Sequence, residues 1–252
     1  MKFIGGLVSV SFRQLSYNEI INTTLQSGLQ AIEWGGDIHV PAGNIELAQT
    51  VGNETAKRGI IIPEYGSYYT LGSKDTDKSD ASVNSARALG TSTVRIWASN
   101  KNRASLTKEE YISAVEDAQR LCRENSDINF CLECHNGTIT EEYHDTLNYL
   151  KDVGCDNLQM FWQPNQFRDH EYNISSLEAL LPYIRSAHVF AWEKNLRFPL
   201  ASHENRWRDY LSVLKNSPSD KVFLMLEFMH DNSPLSLPDT AKALNNLIAK
   251  FN

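Results

Sequence analysis

Short runs of β-branched and apolar residues alternate along this chain with longer segments whose apolar positions recur every three to four residues. A brief apolar run bounded by turn formers reads as a buried strand, and the longer period reads as an amphipathic helix laid against a sheet. The pattern predicts eight strands, over 3–10, 30–34, 60–64, 93–98, 128–134, 158–162, 187–190 and 222–227. Helices are expected over 17–27, 43–58, 78–89, 107–124, 140–153, 175–183, 205–215 and 237–251. Ser16 with Glu19 three residues on forms a capping box, and Gly28, Gly59, Gly90 and Gly154 stand where four helices should end. Regular alternation of strand and helix implies a parallel sheet with crossover helices. Eight repeats close such a sheet into a single (β/α)8 TIM barrel, which takes about 250 residues; the chain has 252.

Composition narrows the class of partner. A formal net charge of -7 opposes a surface built to neutralise phosphates, so nucleic acid is not an expected partner. No apolar run approaches the length of a membrane span, so no membrane partner is expected either. The apolar opening 3–12 is short and followed at once by Arg13, so it reads as the first strand rather than a leader. Cys122, Cys131, Cys134 and Cys155 have no framework spacing, which fits reduced thiols and a cytoplasmic setting. Cys131 and Cys134 share a strand but face opposite sides of it, so the pair reads as packing. Glycine-rich nucleotide loops and the hydrolase elbow are missing from the sequence. A small-molecule enzyme remains.

Its chemistry should sit at the C-terminal ends of the strands, where the loops after strands 2, 3, 6 and 7 are long and rich in aromatic and polar residues. Four consecutive strands end in a potential metal ligand: Glu133 in CLECHNG, Gln163 in MFWQPNQ, His188 in SAHVFAW and Glu227 in LMLEFMH. Taken singly, an inward glutamate serves equally as an ion-pair partner, and a histidine as a hydrogen-bonded core residue. Together, at one depth on adjacent strands, they make a mixed oxygen and nitrogen set suited to one divalent ion, whether Mn, Mg, Co, Fe or Zn. Glu33, ending strand 2, is a candidate substrate contact, with internal pairing to Arg95 as the stronger alternative. Trp97 and other strand-end aromatics offer walls for the C–H face of a sugar.

On these residues the chain resembles the xylose isomerase-like TIM barrel superfamily, especially its sugar phosphate isomerase/epimerase and ketose 3-epimerase-like branch. Members carry Glu, Asp, His and Glu on strands 5 to 8 as ligands of one divalent metal. Glu133, His188 and Glu227 match, whereas Gln163 stands where Asp is usual. Gln166 likewise replaces the substrate-contacting His of the family's Asp-x-x-His pattern. The resemblance implies an isomerase or epimerase of a sugar or polyol. Glu133 and Glu227 would be both ligands and proton carriers, acting through a metal-stabilised enediolate. It further implies His135 and Gln166 as substrate contacts, Arg197 with Glu193 as a substrate clamp, and a possible homo-oligomer. Two alternatives share the scaffold: an inosose-type dehydratase and a sugar-binding barrel without turnover.

Overall fold

The computed structural model describes residues 2–252. Eight parallel strands form a closed barrel in chain order: β1 Lys2–Val8, β2 Ala31–Gly35, β3 Tyr65–Thr70, β4 Thr93–Trp97, β5 Asn129–Glu133, β6 Leu158–Trp162, β7 Ile184–Val189 and β8 Lys221–Leu226. β8 closes on β1 in a ladder running from Lys2 opposite Lys221 to Leu7 opposite Leu226. The crossover helices are α1 Tyr17–Gln26, α2 Ile45–Lys57, α3 Thr76–Leu89, α4 Lys108–Glu124, α5 Tyr143–Val153, α6 His170–Leu180, α7 Glu204–Leu214 and α8 Leu237–Ala249. The capping box of Ser16 and Glu19 opens α1, and Gly90 and Gly154 cap α3 and α5 in the left-handed conformation.

Strand alternation divides the core into two layers. Outward residues such as Ile32, Val94, Leu132, Trp162, Val189 and Leu226 pack against the helices. Inward residues Ile4, Val8, Ala31, Cys131, Phe161 and Met225 fill the barrel itself. Glu133, Gln163 and Glu227 each lie two residues beyond Cys131, Phe161 and Met225, so parity sends them inward above that apolar plug.

The strand expected over 60–64 is displaced. Ile61 makes only an isolated bridge to Ala31, and the continuous strand runs Tyr65–Thr70. Pro63 has no N–H to give a ladder, so the apolar run cannot continue as a paired strand until it has passed. The seventh strand starts earlier than expected, at Ile184, and α6 begins at His170 because Asp169 caps it by accepting from the Tyr172 amide. The first strand stops at Val8 and gives way to a 3-10 turn over Ser9–Phe12. A small antiparallel ribbon, Trp192–Glu193 with Leu196–Arg197, rises from the loop after β7.

Candidate metal centre

Above the apolar plug lies a fully buried ion network. Glu33 on β2 and His188 on β7 are each 0% exposed, and Arg95 on β4 is 3% exposed. The Arg95 guanidinium donates from Nε to Glu33 Oε1 at 2.7 Å and from Nη1 to Glu133 Oε2. Room for this fork exists because Gly66 faces it: a Cβ there would lie 2.5 Å from Glu33 Oε1 and 2.9 Å from Arg95 Nη2.

His188 hangs from the same carboxylate. Its Nε2 lies 3.0 Å from Glu33 Oε2, and since a carboxylate only accepts, Nε2 carries the proton. Phe161 packs against the ring with centroids 4.1 Å apart. The other nitrogen, Nδ1, faces 2.8 Å to Gln163 Oε1, 3.6 Å to Glu227 Oε2 and 3.7 Å to Glu133 Oε1. Ligand atoms of Glu133, His188 and Glu227 all lie within 4.8 Å of one another. Metal bonds of about 2.0–2.2 Å place neighbouring ligand atoms roughly 3–3.5 Å apart, so a small inward adjustment encloses one ion.

The electrostatics point the same way. Burial would raise the Glu33 carboxyl, but Arg95 and His188 outweigh it and hold it at about 2. Burial would lower His188, yet Glu227, Glu33 and Glu133 around it raise the ring to about 9. Glu227 is pushed up by burial, with His188 opposing and Glu133 adding to the rise. With the three carboxylates 33, 133 and 227 ionised and His188 neutral, as a ligand must be, only the Arg95 guanidinium opposes them, leaving two uncompensated negative charges. One divalent cation cancels them. A histidine fixed through one nitrogen by a carboxylate, its other nitrogen turned toward oxygen ligands, is the usual build of a metal-ligating imidazole.

A pocket opens beside this cluster, bounded by Gln163, Gln166, His135, Asn136, Phe190 and Trp192. The His135 ring stacks on Trp97 with centroids 4.5 Å apart, and its Nδ1 donates to the Asn136 carbonyl at 2.7 Å. The Arg197 guanidinium lies over both the Trp192 and Phe228 rings, 4.6 and 4.9 Å from their centroids, and bonds Asn232. Glu193 does not join Arg197. It turns to α7, with Oε1 2.8 Å from Arg206 and 3.2 Å from His203. Glu33, expected as a substrate contact or an ion-pair partner, lies beneath the cluster as a partner of both Arg95 and His188.

Two participants escaped the sequence reading. Glu64 is 1% exposed and accepts from Ser186 Oγ at 2.8 Å, and burial together with nearby Glu33 pushes its carboxyl up to about 8. Ser186, two residues before His188 on the same face of β7, was the available signal. Phe228, directly after Glu227, holds φ +44, a strained backbone for a bulky residue, while its amide donates to Ser11 Oγ at 2.9 Å.

No protein-family model and no curated protein matches the sequence. Solved structures do. The probable 3-DHS dehydratase AsbF of Bacillus anthracis, involved in petrobactin synthesis, superposes with a TM-score of 0.81 at 20% identity, covering 98% of this chain and 99% of its own. The IOLI protein with a bound zinc atom gives a TM-score of 0.77 at 16% identity over 100% and 99% of the two chains. An L-ribulose 3-epimerase gives 0.70 at 13% identity over 99% and 95%. These structures share the fold of this chain, a single (β/α)8 barrel. Among the matching structures, zinc is bound in the IOLI structure, and magnesium is present in a xylose isomerase-like TIM barrel protein from Mycobacterium smegmatis.

Proposed function

We propose that this chain is a divalent-metal-dependent isomerase or epimerase acting on a sugar or related hydroxy-carbonyl compound. The observation that carries the reading is the convergence of Glu133, Gln163 and Glu227 on His188 Nδ1, with Nε2 already committed to Glu33. Glu133, Gln163, His188 and Glu227 would hold the ion. When bound, a divalent ion supplies Lewis-acid stabilisation to the oxygens of an enediolate.

The remaining work falls to side chains. Glu133 and Glu227 approach from β5 and β8, on either side of His188, so a carbon placed between them can lose a proton to one and regain it from the other. Return to the opposite face gives an epimer, and return to the neighbouring carbon gives an isomer. Stacked Phe190 and Trp192, with centroids 4.4 Å apart, offer an apolar wall to a sugar's C–H face.

The test begins with metal content. Protein purified without added metal or chelator should carry about one divalent ion per chain, and Glu227→Gln and His188→Ala should lose it. Loaded wild type should then exchange substrate C–H for deuterium across a panel of ketoses, and Glu227→Gln should not. A chain that takes up no Mn, Co or Zn refutes the reading. A dehydratase is the second reading, favoured by the fold match to the probable 3-DHS dehydratase. Expulsion of hydroxide would follow the same proton abstraction, so a product 18 mass units lighter than substrate, about one water, would select it.

A further inference from the structure

Gln163 belongs to two sites at once. Its Oε1 lies 2.8 Å from His188 Nδ1, among the candidate ligands, and the same side chain lines the pocket beside them. An amide carries an acceptor and a donor on opposite prongs. With the oxygen prong committed to the cluster, the NH2 prong has no protein acceptor among the described residues. An aspartate or glutamate at this position would present oxygen on both prongs.

The pocket walls tell what that amino group would meet. Asn136, Gln166 and Ser176 contribute uncharged hydrogen-bonding groups, and the Trp192 indole N–H has no partner. The wall carries one carboxyl side chain, Glu141, and no lysine or arginine lines it. Neutral donors and acceptors mixed in this way match hydroxyl groups, whereas a phosphate held within this pocket would meet a carboxylate, the cations Arg168, Lys194 and Arg206 lining the adjoining cavity instead.

We propose that Gln163 is the specificity-determining residue of this site: its oxygen serves the metal corner while its amino group donates to an oxygen of an uncharged, polyhydroxylated substrate. This rests on the metal-dependent reading above. It assigns a positive role to the departure from Asp that the resemblance leaves unexplained. Recognition by a donor that a carboxylate cannot imitate discriminates strongly, because the wrong partner leaves a polar group unpaired.

The experiment uses Mn-loaded full-length protein and two enediolate mimics, D-erythronohydroxamate and its 4-phosphate, titrated calorimetrically against wild type, Gln163→Glu and Gln163→Met. Wild type should bind the unphosphorylated mimic at least about tenfold more tightly than the phosphate. Gln163→Glu should keep Mn at least as tightly as wild type yet bind the unphosphorylated mimic about tenfold or more weakly. Gln163→Met should weaken both Mn and mimic, and it keeps the test open if the glutamate variant misfolds. Unchanged mimic affinity in Gln163→Glu, or a wild type that prefers the phosphate or binds neither mimic, overturns the proposal while leaving the metal reading intact. Failure of wild type to take up Mn ends the metal reading itself, and the proposal with it.

Discussion

Glu33 has no direct path to the pocket, yet it holds two candidate ligands in place: His188 directly and Glu133 through Arg95. Replacing it by glutamine keeps the size and an acceptor but removes the charge that balances Arg95. Glu33→Gln is expected to cost about 10–100-fold in metal affinity, the range typical of groups that orient a ligand, measured by competition with a chromophoric chelator. Gly66→Ala acts on the same pair from the other side, since its methyl group must displace the Glu33–Arg95 fork. It should destabilise the fold by about 2 kcal/mol in urea titration and weaken metal binding with it. The four strand-end groups were legible because parity and position along a strand suffice to place them. Glu64 and Gly66 were not, because partners on other strands decide their roles: Ser186, 122 positions away, for the first, and Arg95 with Glu33 for the second.

Among elements, those with strong local signals appeared where the pattern put them. α4 is an example: Thr107 accepts from the Glu110 amide, and Glu110 reaches back to the Thr107 amide. Thr107→Ala should therefore cost about 1 kcal/mol in denaturant melts, with metal binding untouched. β3 was misplaced because apolar content outran hydrogen-bonding capacity at Pro63. The ribbon after β7 left little mark, since two-residue strands carry no period to read. It matters nonetheless, for it carries Arg197 and Trp192 over the mouth against Phe228.

The whole molecule should respond to pH through its buried charges. His188 sits at about 9 in the fold against an ordinary 6.5, so in metal-free protein its contribution is full below pH 6.5 and is lost as pH rises through 9. Glu64, at about 8 against 4.5, also binds its proton more tightly when folded, and stability declines from pH 4.5 toward 8. Glu33, held at about 2, contributes above pH 4.5 and yields that contribution as pH falls toward 2. Calorimetric melts in chelator should thus peak near pH 5, falling on both sides. Saturating Mn should abolish the His188 part of the alkaline decline, because an ion at Nδ1 displaces the proton, and its binding near pH 7.5 should release about one proton per chain into buffer. Among the described residues no helix is long and apolar enough to cross a membrane.

The seam between β2 and β3 rests on two ladder pairs, Trp34 with Tyr65 and Gly35 with Gly66, plus the lone bridge at Ile61. Every other junction has three or more. A closed barrel breathes where its hoop is thinnest, and here the hoop is thinnest beside the strand that carries Glu33. Loss of the ion and loosening of the hoop would then be one event viewed from two ends. Amide hydrogens of β2 and β3 should exchange with deuterated solvent faster in stripped protein than in loaded protein, while those of the long β8–β1 junction barely change.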